Sequence, residues 1–298
     1  MIHRSLSQSL SALALVSLAG LTGACSSEVN DLDNMRQVLA TNADIAFASY
    51  GDSVAAAQAM SDAIDALIAD PSQANLDAAR DAWLVANEPY GQTEVYRFRA
   101  SPIDDTNYDP SDGEDGPEGE LNAWPLGEAL IDYVVADTDF GDDQLNVSSH
   151  ETGVAGDIPP NNIINSADVE ITADLLSNTS TAEDERDVIS GYHAIEFLLF
   201  GQDLNADGTG PSARDNSAGQ RPVTDFANDA TCTSGETVND DATFCQRRGE
   251  YLQVATAKLI ADLEQVRDGF AEGSEYRTAF TTVEDLEEPA LGLVDVLD

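Results

Sequence analysis

The chain has 298 residues, with 56 acidic against 13 basic side chains and a formal charge of −43. Nucleic-acid binders draw most of their affinity from Lys and Arg neutralising phosphates. A chain with one lysine, Lys258, and twelve scattered arginines is excluded from that class, and from binding anionic lipid through a basic patch. The apolar share of 42% is enough for a packed core. Asp outnumbers Glu by 36 to 20. Asp prefers caps and loops to helix interiors, so the charge is expected on connections, as in salt-adapted proteins. Loose cation capture by the acidic loop Asp104–Glu120 is the alternative.

Residues 1–24 read as an export signal: a basic start through Arg4, a short apolar run from Ser9 to Gly23, and small residues before cleavage. The run is shorter than the ~20 apolar residues that span a bilayer. It ends Leu21-Thr22-Gly23-Ala24-Cys25, which resembles a bacterial lipobox. That resemblance implies acylation of Cys25 and a lipid anchor without a span. Ser26 after the cysteine suits the outer membrane of a Gram-negative bacterium. Residues 25–30 read as a tether and 31–298 as the folded domain. Without the signal, two histidines remain, His150 and His193.

Helical periodicity dominates the domain. Met35, Val38, Leu39, Ile45 and Ala46 form one stripe, with a break expected near Gly51-Asp52. Met60, Ile64, Leu67 and Ile68 continue it to Pro71. A helix is expected from Gln73 to Ala100, with Leu76, Ala79, Trp83, Ala86 and Tyr90 on its buried stripe and a kink at Pro89. Residues 101–123 read as a loop, and Trp124-Pro125 as the opening of a short helix. Helices are expected over Ala167–Leu176 and Asp184–Gly201. A long loop follows to Thr243, then a strong helix from Phe244 to Phe270 and another from Tyr276. The fold class is therefore all-α, an up-and-down helical bundle with long acidic loops. In an oxidising envelope, Cys232 and Cys245 are expected to form a disulfide rather than a metal site.

The chemistry concentrates in Gly191-Tyr192-His193-Ala194-Ile195-Glu196. His193 and Glu196 are three apart and share nearly one helix face beside an apolar stripe, a common way to present metal ligands. A hydrogen-bonded His–Glu pair of the core is the plain alternative. Glu94 is the partner carboxylate to test, since it follows Trp83 and Tyr90 along an apolar stripe. A Glu94–Arg97 ion pair is its alternative. Asp203–Gly208 reproduces the first half of an EF-hand loop, but the twelfth position is Arg214 and not the bidentate Glu that calcium requires.

The segment GYHAIEFLLFGQD resembles the imelysin-like family, whose mark is G-x-H-x-x-E. ARDAWLVANEPYGQTEVYRF, ASPIDD, EGELNAWPLGEALIDYV, RPVTDF and QRRGEYLQVATAKLIADLE are similar to further segments of that family, nearest its iron-regulated branch. Asn87 stands where the family commonly has Arg. The resemblance implies two packed helical subdomains related by duplication, a site at Gly191, His193, Glu196 and Asp203, and a lipid-anchored envelope protein linked to iron acquisition. This chain stops at Asp298 where the second subdomain should begin, so the first subdomain plus the start of a second is expected.

Three functions follow from these observations. The first is an envelope protein that binds iron or another divalent or trivalent metal through His193, Glu196 and Glu94 and works with iron-uptake components. The second is a zinc peptidase with Glu196 or Glu94 as base on metal-bound water. The third is a non-catalytic structural or partner-binding lipoprotein. The H-E-x-x-H pattern of zinc peptidases is absent, since Ala194 follows His193.

Overall fold

The computed structural model describes residues 13–97, 101–106, 116–122, 124, 126–134, 162–166, 169–180, 188–202, 205–206, 215, 217, 219, 221–232, 237–239 and 242–282, with side chains from residue 31 except at 129, 178–180, 237–239 and 242. The expected Asp203, His150 and Arg214 lie outside them, as does the side chain of Cys25. The chain is all-α: α1 (Leu13–Ala69), α2 (Gln73–Gly91), α3 (Glu118–Leu121), α4 (Glu128–Ile131), α5 (Ala173–Ser180), α6 (Gly191–Phe200), α7 (Phe244–Gly269) and α8 (Glu275–Thr281). Among the described residues one small antiparallel ribbon interrupts this, β1 (Thr237–Asn239) with β2 (Ala242–Thr243). No helix among the described residues is long and apolar enough to cross a membrane.

The chain divides into two compact units. The smaller comprises residues 1–45 and 269–298. Within it Phe270, Tyr276 and Phe280 form a buried aromatic cluster, with Phe270 edge-to-face with Tyr276 at 5.2 Å and Tyr276 stacked on Phe280 at 5.5 Å. Arg277 pairs with Asp44 at 2.6 Å, and Ser274 caps α8 by accepting from the Arg277 amide. The larger unit, residues 46–268, carries the site.

α1 runs without interruption through Gly51, where the sequence predicts a break. Glycine in a helix interior costs only about 1 kcal/mol relative to alanine. The buried positions on either side, Tyr50, Val54, Ala57, Met60 and Ile64, offset that cost. The buried stripe of α2 is Leu76, Ala79, Trp83, Ala86 and Tyr90, as its periodicity predicts. Its end is not. Instead of continuing to Ala100, α2 stops at Gly91, with Pro89 inside its last turn. The Gln92 and Thr93 amides donate to the Pro89 and Tyr90 carbonyls, and the Thr93 hydroxyl also donates to Tyr90. These shorter bonds tighten the chain into a 3-10 turn, Glu94–Tyr96.

α7 matches its predicted span within one residue and buries Tyr251, Leu252, Ala255, Leu259, Leu263 and Val266. Near its start Arg247 donates to four backbone carbonyls, those of Ile163, Ile164, Ser166 and Val169. It thereby satisfies an irregular segment that has no ladder of its own. Cys232 and Cys245 are joined in a disulfide that ties the ribbon to the same end of α7. A loop of this length contributes on the order of 3 kcal/mol by restricting the unfolded chain.

Candidate functional site

α6 carries His193 and Glu196, and both of its ends are clamped. Gly191 opens it at φ +80°, and a Cβ there would lie 2.3 Å from the Leu121 carbonyl oxygen and 2.5 Å from that of Glu120. The helix therefore begins at Gly191, not at Asp184 as the periodicity suggests. Only glycine permits both the backbone angle and the approach of α3. Ser190 donates its hydroxyl to the Glu120 carbonyl at 3.2 Å, and Tyr251 of α7 donates to the Ile189 carbonyl at 2.7 Å. Trp83 of α2 donates its indole N–H to the Tyr192 carbonyl, and the Tyr192 hydroxyl returns a bond to the Ala86 carbonyl.

At the other end two guanidiniums meet the last carbonyls, where the helix dipole is negative. Arg80 Nε donates to Leu199 O at 3.0 Å, and Arg221 reaches Phe197 O through its side chain and Phe200 O through its backbone amide. Gly201 terminates the helix at φ +81°.

Beneath this end lies a fully buried ionic cluster. Arg221 Nη1 donates to Asp132 Oδ2 at 2.6 Å and to Asp225 Oδ2 at 2.8 Å. Arg248 grips both oxygens of Asp132, at 2.6 and 2.9 Å, and donates to the Asp225 carbonyl. The Tyr133 hydroxyl donates to Asp225 at 2.7 Å. Burial pushes the Asp132 carboxyl up, but the guanidiniums of Arg221 and Arg248 outweigh it and hold it below the ordinary aspartate range. A second cluster supports the helix start: Lys258, the lone lysine of the chain, bonds Glu120 and Asp262. Burial opposes its charge, yet these carboxylates hold the ammonium above its ordinary pKa. Glu120 supplies one of the carbonyls that press on Gly191, so this ion pair seats α6.

His193 and Glu196 meet directly, Nδ1 to Oε2 at 3.0 Å. The imidazole is 24% exposed and the carboxylate 40%. Nδ1 is committed to Glu196, and Nε2 has no partner among the described residues. Both side chains line a cleft of about 340 Å3 with Trp83, Leu84, Trp124, Leu126, Glu128, Phe197, Phe200, Gly201 and Gly219. Trp124 stands edge-on to the His193 ring, 5.1 Å between centroids. Its segment is held by a bridge between Leu126 and Val188, with the Gly127 amide donating to the Val188 carbonyl at 2.7 Å.

Glu94 falls elsewhere. Because α2 stops at Gly91, Glu94 sits exposed on the 3-10 turn and does not line the cleft. Arg97 pairs with Glu118 and not with Glu94. The carboxylate that does line the cleft beside the His–Glu pair is Glu128. Among the described residues no three His, Cys, Asp or Glu side chains converge on a metal position. Among the described residues, the nitrogen and carboxylate that meet at the cleft are those of His193 and Glu196.

The acidic loop is also more than solvated charge. Asp104 and Asp105 are buried, and Glu118 and Glu120 are in ion pairs. Sequence reasoning missed Asp132, Arg221, Asp225 and Arg248. One signal was available: Arg248 lies four residues before Leu252 on an apolar stripe, where an unpaired charge is too costly to keep.

A helix opened by a close-packed glycine, displaying a hydrogen-bonded His and Glu over a cleft, defines a G-x-H-x-x-E protein. Residues 46–298 match the family model for Imelysin, which carries a peptidase label, and the chain belongs to the imelysin family. It is 35% identical over 78 residues to "Iron-regulated protein A" of Synechococcus elongatus, spanning 26% of this chain and 19% of that protein. It is also similar to a crystal structure described as an iron-regulated protein A precursor from Parabacteroides distasonis, with a TM-score of 0.46 and 19% identity. That match covers 87% of this chain and 53% of the other. The chain thus spans about a fifth and about half of the lengths of these two relatives.

Proposed function

We propose that this imelysin-family chain is an exported, lipid-anchored cell-envelope protein that binds metal, iron first, at His193 and Glu196 and serves iron acquisition. The observation that carries the reading is the His193–Glu196 pair, a nitrogen and a carboxylate donor displayed on a rigid helix at a partly open cleft. A mixed nitrogen and oxygen donor set suits iron. Two protein donors leave most of the shell to other ligands, so a chelate that brings its own oxygens fits this cleft better than a bare ion. The anchor at Cys25 and the envelope address rest on residues 1–27. The relative from Synechococcus elongatus bears iron regulation in its name, which supports the link to uptake components.

The test is the metal content of purified protein after exposure to ferric citrate, compared between wild type and His193→Ala. Near-stoichiometric iron in the wild type and loss in the variant is expected. Equal iron in both would remove the site. The peptidase alternative is favoured by the family's label. It requires zinc-dependent proteolysis that Glu196→Gln abolishes.

A further inference from the structure

The metal reading uses one edge of the cleft and leaves its aromatic wall without a role. Trp83, Trp124 and Phe200 line the cleft, and the carboxylates of Glu196 and Glu128 line it with them. No Lys or Arg lines it among the described residues. Trp124 is the accessible ring, 63% exposed, and Leu84 beside it is 56% exposed. Aromatic faces attract cations that shed water readily, and guanidinium and alkylammonium groups do so more easily than small metal ions. The wall already holds one such group from the protein's side: the Arg80 guanidinium carbon lies 5.2 Å from the Phe200 ring centroid. A net charge of −43 raises the local concentration of any cation before it enters.

We propose that the cleft is a binding site for a small organic cation carrying a guanidinium or primary ammonium group. Trp124 supplies the ring face for the cationic carbon, and Glu196, with Glu128, supplies the counter-charge. A volume of about 340 Å3 is at the small end of ligand sites, which matches an amino-acid-sized molecule. The inference rests on the aromatic wall and the sign of the charge; it shares Glu196 with the metal reading, so the cation is titrated on iron-free protein.

The chain has two tryptophans, and both line this cleft, so selectively excited tryptophan fluorescence reports on it. Wild-type protein is titrated with Nα-acetyl-argininamide (argininamide below), with Nα-acetyl-citrullinamide (citrullinamide below) as the neutral isostere and with acetyl-Ala-Arg-Ala-amide as a peptide probe. Saturable change with argininamide and at least tenfold weaker response to citrullinamide are expected. Trp124→Leu keeps Trp83 as reporter and should weaken argininamide about tenfold. Equal response to the neutral isostere overturns the proposal, as does unchanged affinity in Trp124→Leu. Tighter binding of the peptide overturns the small-molecule assignment. His193→Ala separates the two readings. Lost iron with retained argininamide binding leaves both in place, whereas iron binding without any argininamide response refutes this one alone.

Discussion

The side chain of Gly191 is a hydrogen because a methyl there would meet the carbonyl oxygen of Leu121 at 2.3 Å. Backbone cannot swing aside as a flexible side chain can, and φ of +80° adds its own strain for any L side chain. Gly191→Ala is expected to cost about 3 kcal/mol, read as a fall in the urea midpoint. Gly51 provides the opposite case. It lies inside α1, and a methyl added there would meet nothing within 4 Å, so Gly51→Ala should raise stability by about 0.5–1 kcal/mol. Similar effects at the two positions would contradict the account of how α6 begins. The same scale explains why Glu94 and Glu128 change places as candidates. A proline and two short hydrogen bonds end α2 before Glu94, whereas a single bridge at Leu126 brings Glu128 to the cleft.

At the scale of elements, α6, α7 and the segment around Asp132 are joined by charge buried in the interior. Asp132→Asn would leave Arg221 and Arg248 facing each other without their shared carboxylate, and a loss of about 3–5 kcal/mol is expected. The pH dependence has a definite sign. The folded carboxyl of Asp132 is held below its unfolded value of about 3.9, so its contribution is complete above that value and is lost as pH falls through the folded one. Urea midpoints measured from pH 5 to pH 2.5 should fall more steeply for the wild type than for Asp132→Asn. Parallel curves would mean that Asp132 is not the acid-labile link. This cluster also marks the limit of what is legible in the sequence. The stripes of α2 and α7 are periodic and local, so their buried faces could be read directly, and the G-x-H-x-x-E spacing places two ligands on one face. Asp132 and Arg248 are 116 residues apart, and nothing local in either segment names the other. The course of the helices at Gly51, Gly91 and Gly191 escapes the periodicity for a related reason. Tertiary packing carries α1 through one glycine, short bonds stop α2 at another, and the carbonyls of α3 fix the third.

At the scale of the whole molecule the charge of −43 acts against the compact state. The ion pairs that matter most to the site, around Asp132 and Lys258, are buried, and salt screens them little. The uncompensated surface carboxylates are screened strongly, because the Debye length falls from about 10 Å at 0.1 M to about 3 Å at 1 M. Added salt should therefore remove repulsion while sparing the attractions that hold α6. The thermal midpoint is expected to rise by about 5 °C between 0.1 and 1 M NaCl, the shift that ~2 kcal/mol produces in a chain of this size. Screening depends on ionic strength and not on the identity of the cation, so KCl should trace the same curve. A midpoint that stays flat or falls would show that surface repulsion is not what limits this fold. A rise in NaCl alone would replace screening with a sodium-specific site.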